Sequence, residues 1–82
     1  MTVVILYFAA LRELLGRSEE TLSGLPDTLT IGALAERLAE RHPALSPHLS
    51  SVRFALNESF VDLGAQVTDG DTVALIPPVS GG

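Results

Sequence analysis

The chain has 82 residues, of which 46% are apolar, with a formal net charge of −5 and neither cysteine nor lysine. That length holds one small domain near the lower limit of a self-sufficient core, and the apolar share excludes a disordered chain. The acidic balance argues against nucleic acid and anionic lipid as partners, and the missing cysteine removes disulfides, a thiolate nucleophile, zinc–cysteine sites and iron–sulfur clusters together.

Thr2 to Phe8 is rich in Val, Ile, Tyr and Phe and reads as a first strand. Alternation puts Val3, Ile5 and Tyr7 on one face and Val4, Leu6 and Phe8 on the other. Both faces are apolar, so the strand is expected to be central with both sides covered. The apolar run from Val3 to Leu11 stops at Arg12, far short of a membrane span and without the basic start or cleavage site of a signal peptide. No membrane association is expected, and the cytoplasm is the default compartment. Ala9 to Leu15 places Leu11, Leu14 and Leu15 at helical spacing in a short helix, with Arg12 and Glu13 on its polar side and Gly16 as its stop.

Glu19 to Leu22 is expected as an edge strand, followed by a turn over Gly24 to Asp27. A main helix follows, with Thr30 as N-cap and Ile31, Leu34, Ala35, Leu38 and His42 on the helical period until Pro43 closes it. Its Glu36, Arg37, Glu40 and Arg41 read as an ordinary solvated face. Ala44 to Ser51 reads as loop with a turn at Ser46-Pro47. Val52 to Asn57 alternates, with Val52, Phe54 and Leu56 inward and Arg53, Ala55 and Asn57 outward, and Asn57-Glu58 forms the tip of a hairpin into Phe60-Val61. Asp62 to Thr68 connects to a last strand, Thr72 to Ile76, launched by the turn signal Asp69-Gly70-Asp71 and ended by Pro77-Pro78, since proline cannot donate to a β-ladder.

The order β-α-β-α-β-β-β is met most economically by a mixed sheet of about five strands packed on one main helix plus a short helix. That is an α+β domain on the β-grasp plan of ubiquitin-like proteins, spanning residues 1–76. Residues 77–82 are expected as an extended, flexible C-terminal tail ending in Gly-Gly. The helix-facing side of the sheet uses Val3, Ile5, Tyr7, Val73 and Leu75, which leaves Val4, Leu6, Phe8, Ala74 and Ile76, with Phe60 nearby, on the other. Either this second face is a partner surface, or loop 44–51 or the short helix folds over it.

A search for catalytic chemistry returns little. His42 and His48 belong to no ligand spacing, and His42 reads as a capping or half-buried residue at a helix end. No serine has the setting of a nucleophile elbow, no phosphate loop is present, and Asp69 and Asp71 suit turn chemistry better than a calcium loop. No metal site is expected. What remains is the terminal carboxylate of Gly82, ionised at neutral pH with a reference pKa of about 3.5. A carboxylate resists nucleophiles until its oxygen becomes a leaving group, which an AMP attached by an ATP-using partner would supply. Sulfide could then displace AMP and leave a thiocarboxylate. Gly81 and Gly82 let a tunnel close on bare backbone, and Pro77-Pro78 stiffens a stem continuing through Val79 and Ser80. Extended, Pro77 to Gly82 reaches roughly 20 Å. A terminal Gly-Gly alone is equally a frayed end, and steric fit does not say which atom is carried.

The ending Asp69-Gly-Asp-Thr-Val-Ala-Leu-Ile-Pro-Pro-Val-Ser-Gly-Gly82 resembles that of the small, sulfur-carrier subunit of molybdopterin synthase, and the opening Leu6-Tyr-Phe-Ala-Ala-Leu-Arg-Glu-Leu-Leu-Gly16 is similar to the same family's first strand and helix. Residues 17 to 51 carry little of this signal. The resemblance implies that Gly82 is adenylated by an adenylyltransferase related to ubiquitin-activating enzymes, which uses ATP, and is then converted to a thiocarboxylate. The tail would enter the large subunit of molybdopterin synthase and pass sulfur to precursor Z, within a heterotetramer. The chain would bind no cofactor and would not be an enzyme by itself. The resemblance further implies that the face with Phe8, Phe60 and Ile76 docks on both partners and that Arg12 contacts one of them. A related carrier for thiazole or tRNA thiolation, a protein modifier, and a passive interaction domain remain as alternatives.

Overall fold

The computed structural model describes residues 1–78. Strand β1 (Val3–Tyr7) leads into helix α1 (Ala10–Leu15), then β2 (Glu19–Leu22), β3 (Leu29–Thr30) and helix α2 (Ile31–Arg41). A 3-10 segment (Pro43–Ser51) precedes β4 (Arg53–Leu56), β5 (Ser59–Val61), β6 (Gln66–Val67) and β7 (Thr72–Ile76). The main sheet has five strands in the order β2-β1-β7-β4-β5, with β1 and β7 parallel and the other pairs antiparallel. This is the expected mixed sheet on one main helix. β1 is interior, flanked by β2 and β7, while β7 holds the middle position.

Local chemistry explains the element ends. Gly16 takes φ 69° and closes α1 by donating its N–H to the Arg12 carbonyl, a left-handed cap that a Cβ would resist. Thr30 caps α2, its hydroxyl accepting from Ala33 N at 3.1 Å. The next two amides of α2, which have no partner within the helix, donate across to the connecting loop: Ile31 N to Ala65 O and Gly32 N to Leu63 O, each at 2.9 Å. Asn57 and Glu58 both have positive φ, as a two-residue hairpin with a type I′ turn requires.

The core lies between α2 and one sheet face. Val3, Ile5, Tyr7, Phe54, Val73 and Leu75 meet Ile31, Leu34, Ala35 and Leu38 there, all buried. Three expectations need correction. Residues 44–51 are not an open loop but part of the 3-10 segment, because Leu45 is drawn into the core and Leu45 N donates to His42 O. That segment packs against α1 and α2. The stretch 62–68 contains β6, which pairs with β3 in a small second sheet. Arg41 is not simply part of a solvated face, as described below.

Candidate functional site

The sheet face turned away from α2 carries an open depression of about 490 Å³ lined by Leu6, Phe8, Ala55, Phe60, Ala74 and Ile76, with Asn57, Glu58 and Thr72 at one end. Strand register explains its shape. Leu6 lies beside Ala74, Ala74 beside Ala55, and Ala55 beside Phe60, so a row across four strands has two methyl groups in the middle and large side chains at its ends. The sheet is hollow where alanine stands. Phe8 is 44% and Phe60 55% exposed, a solvent exposure of large apolar groups that the opposite face nowhere shows. The expectation that β1 is covered on both sides is therefore met on the helix side only.

The predicted site residues divide into three sets. Phe8, Phe60 and Ile76 are brought together around the depression. Arg12 is exposed on α1 and does not line it, and its main-chain carbonyl closes the helix at Gly16. Pro77, half-buried, and Pro78, exposed, follow β7 directly. Val79, Ser80, Gly81 and Gly82, with most of the expected extended tail, lie outside the described residues. The tail nonetheless departs from a defined place, since Ile76, the last residue of β7, pairs with Arg53 of β4 and borders the depression.

Arg53 is a residue that single-strand reasoning places outward without assigning it a role. Its guanidinium lies 3.8 Å from the centroid of the Phe60 ring, a cation–π contact on the open face. The signal was present in the outward set Arg53, Ala55 and Asn57. Without the register of β4 on β5, nothing connects Arg53 to Phe60.

A polar cluster around Glu20 lies outside the depression and is structural. The Glu20 carboxylate, 4% exposed, accepts from Tyr7 Oη at 2.5 Å and His42 Nε2 at 2.6 Å on one oxygen, and from Arg17 Nη1 at 2.9 Å and Arg41 Nε at 3.1 Å on the other. Burial pushes its pKa up, but the hydrogen bonds from Tyr7, His42 and Arg41 outweigh burial and hold it down at about 2. Burial, then the bond to Glu20, raises the Tyr7 phenol well above its ordinary value. His42 stands edge-on to Tyr7, with ring centroids 6.1 Å apart. It is the half-buried helix-end residue expected, and this carboxylate ties edge strand β2 to β1 and to the end of α2.

Asp71 does turn chemistry, as expected. It accepts from Thr68 N at 2.7 Å and from Asn57 Nδ2 at 3.0 Å, while Asp69 accepts from Thr2 N at 2.7 Å. The Asn57 bond, then that from Thr68, keeps the Asp71 carboxyl below its ordinary value. Among the described residues, no group of three His, Asp or Glu side chains is placed to hold a metal ion, and no helix is long and apolar enough to cross a membrane. What the described residues present is an apolar hollow that reaches Ile76, the last residue of β7.

Comparison with known proteins bears on what that end is for. The ThiS family model matches residues 5–82. The molybdopterin synthase sulfur carrier subunit of Chlamydomonas reinhardtii is 41% identical over 85 residues, with 100% of both chains covered. The human protein of the same name is 37% identical, with 98% of this chain and 93% of its own length covered. Among solved structures, SAMP1 from Haloferax volcanii superimposes with a TM-score of 0.90 at 28% identity, over 100% of both chains.

Proposed function

The chain belongs to the ThiS family, and on that premise we propose that it is the sulfur-carrier subunit of a molybdopterin synthase. The observation that carries this reading is the end-to-end likeness to the Chlamydomonas reinhardtii protein of that name, which spans both the folded domain and the Pro77 to Gly82 ending. The open apolar face at the root of that ending supports it, because a tail that must enter a partner needs a docking surface where it leaves the sheet.

The chemistry follows from the terminal carboxylate. An adenylyltransferase transfers AMP from ATP to the Gly82 carboxylate with release of pyrophosphate. Sulfide then attacks the acyl carbon, AMP departs with the oxygen, and a thiocarboxylate remains. In the large synthase subunit the sulfur becomes the nucleophile toward a carbon of precursor Z, the carbon–oxygen bond there breaks and its oxygen departs, and water then cleaves the acyl–sulfur bond to restore the Gly82 carboxylate. Two such transfers complete a dithiolene. By likeness to the family, two small and two large subunits would form a heterotetramer, in the cytoplasm where ATP is available. The chain itself contributes the reacting end and the docking face, and catalysis belongs to its partners.

Thiocarboxylated protein incubated with precursor Z and the large subunit is expected to yield molybdopterin, and the spent protein to regain oxygen at Gly82 by mass spectrometry. Failure to form product, with the thiocarboxylate intact, overturns the assignment. The likeness to SAMP1, described as a small archaeal modifier protein, favours protein modification as the second reading. Conjugates to lysines of other proteins through Gly82, found in the native host, would establish it.

A further inference from the structure

Arg53 stands at the end of the open face where the chain leaves the sheet, paired across strands with Ile76 and stacked on Phe60. We propose that Arg53, held on the Phe60 ring, receives a carboxylate of the docked partner, whose matching surface is an apolar patch with an acidic side chain at the end nearest the entering tail. This deepens the carrier reading and rests on it.

The geometry of the tail makes the case. Six residues from Pro77 to Gly82 reach at most roughly 20 Å, so delivering Gly82 into a partner brings the surface around Ile76 into contact with that partner. Arg53, one strand away, loses water in the process. A guanidinium deprived of water is costly to leave unpaired. Among the described residues no carboxylate pairs with it: the arginine ion pairs there are Arg17 and Arg41 on Glu20. Stacking on Phe60 holds the planar group in place before docking, so little rotamer freedom is lost when a carboxylate arrives.

Charge across the face gives the contact a second consequence. β4 runs from Arg53 away from the tail to the hairpin tip, where Glu58 lines the far end of the depression. At about 3.3 Å per residue, the five positions from Arg53 to Glu58 separate the two charges by up to roughly 16 Å. An apolar hollow is non-directional, and a partner could sit on it in either sense. One cation at the tail end and one anion at the far end select the sense that points Gly82 inward.

The test is calorimetric titration of the full chain into the large subunit of the same organism's molybdopterin synthase at low and high salt. Arg53→Gln is expected to bind about tenfold or more weakly, with a shallower salt dependence, and Arg53→Lys to recover part of the loss, since it keeps the charge but not the planar stack. Thermal unfolding of both variants should match the wild type, because Arg53 is exposed. Wild-type affinity in Arg53→Gln overturns the inference, and so does weakened binding with an unchanged salt dependence or no recovery by lysine. A wild-type chain that does not bind the large subunit at all is a different result and removes the carrier reading itself.

Discussion

The two faces of the main sheet are made by alternate residues of the same strands, yet they differ in what they hide. On the helix side Val3, Ile5, Tyr7, Val73 and Leu75 are buried by α2, and Glu20, the one buried carboxylate among the described residues, has four donors. On the far side Leu6, Phe8, Phe60 and Ile76 are of the same chemical kind but border an open hollow. A one-residue step along β1 thus separates a side chain that stabilises the fold from one left free for a partner. The lesson is that hydrophobicity alone does not mark the core. What marks it is hydrophobicity with something in the chain to cover it.

Substitutions on the two sides should therefore separate stability from transfer. The largest effect is expected beyond both faces: one residue added after Gly82, or Gly81→Val, should abolish sulfur transfer to precursor Z while leaving the unfolding midpoint unchanged. Normal transfer by either variant breaks the idea that the chain's bare free end is the reacting group.

On the helix side, Glu20→Gln is expected to cost roughly 3 kcal/mol at pH 7, because Arg17, Arg41 and His42 lose their shared anion. The pH dependence has a defined sign. The Glu20 carboxyl titrates at about 2 in the fold against an ordinary 4.5, so its contribution is complete above 4.5 and is lost as pH falls through about 2. That shift corresponds to about 3 kcal/mol. Urea denaturation between pH 7 and 2 should show the wild type losing this stability over the acid range and Glu20→Gln losing much less. Parallel acid profiles would assign no such role to the cluster.

The smallest effect on stability is expected on the open face. Phe60→Ala should change unfolding by no more than about 0.5 kcal/mol, since the ring is 55% exposed. It should weaken binding to the large subunit by about 2 kcal/mol, in the range of an aromatic anchor. Loss of fold stability with unchanged binding would reverse the contrast between the faces.

Much of the molecule follows from spacing within single elements. The period of Ile31, Leu34, Ala35 and Leu38, the Thr30 cap, the Gly16 stop and the Asn57-Glu58 hairpin are local features, each set by side-chain chemistry over a few residues. So are the two alternating faces of β1 and the ending Pro77 to Gly82, whose lack of side chains at Gly81 and Gly82 is a property of composition. Only the tertiary structure decides which strands lie side by side. That pairing sets Ala74 and Ala55 between Leu6 and Phe60, lays Arg53 on Phe60, and brings Glu20, Tyr7, Arg17, Arg41 and His42 to one carboxylate. It also seats Leu45 in the core and turns residues 43–51 into a 3-10 segment. The physical reason is the same throughout: periodicity tells which way a side chain points from its own backbone, but a contact across strands depends on register, which non-local burial and hydrogen bonding choose.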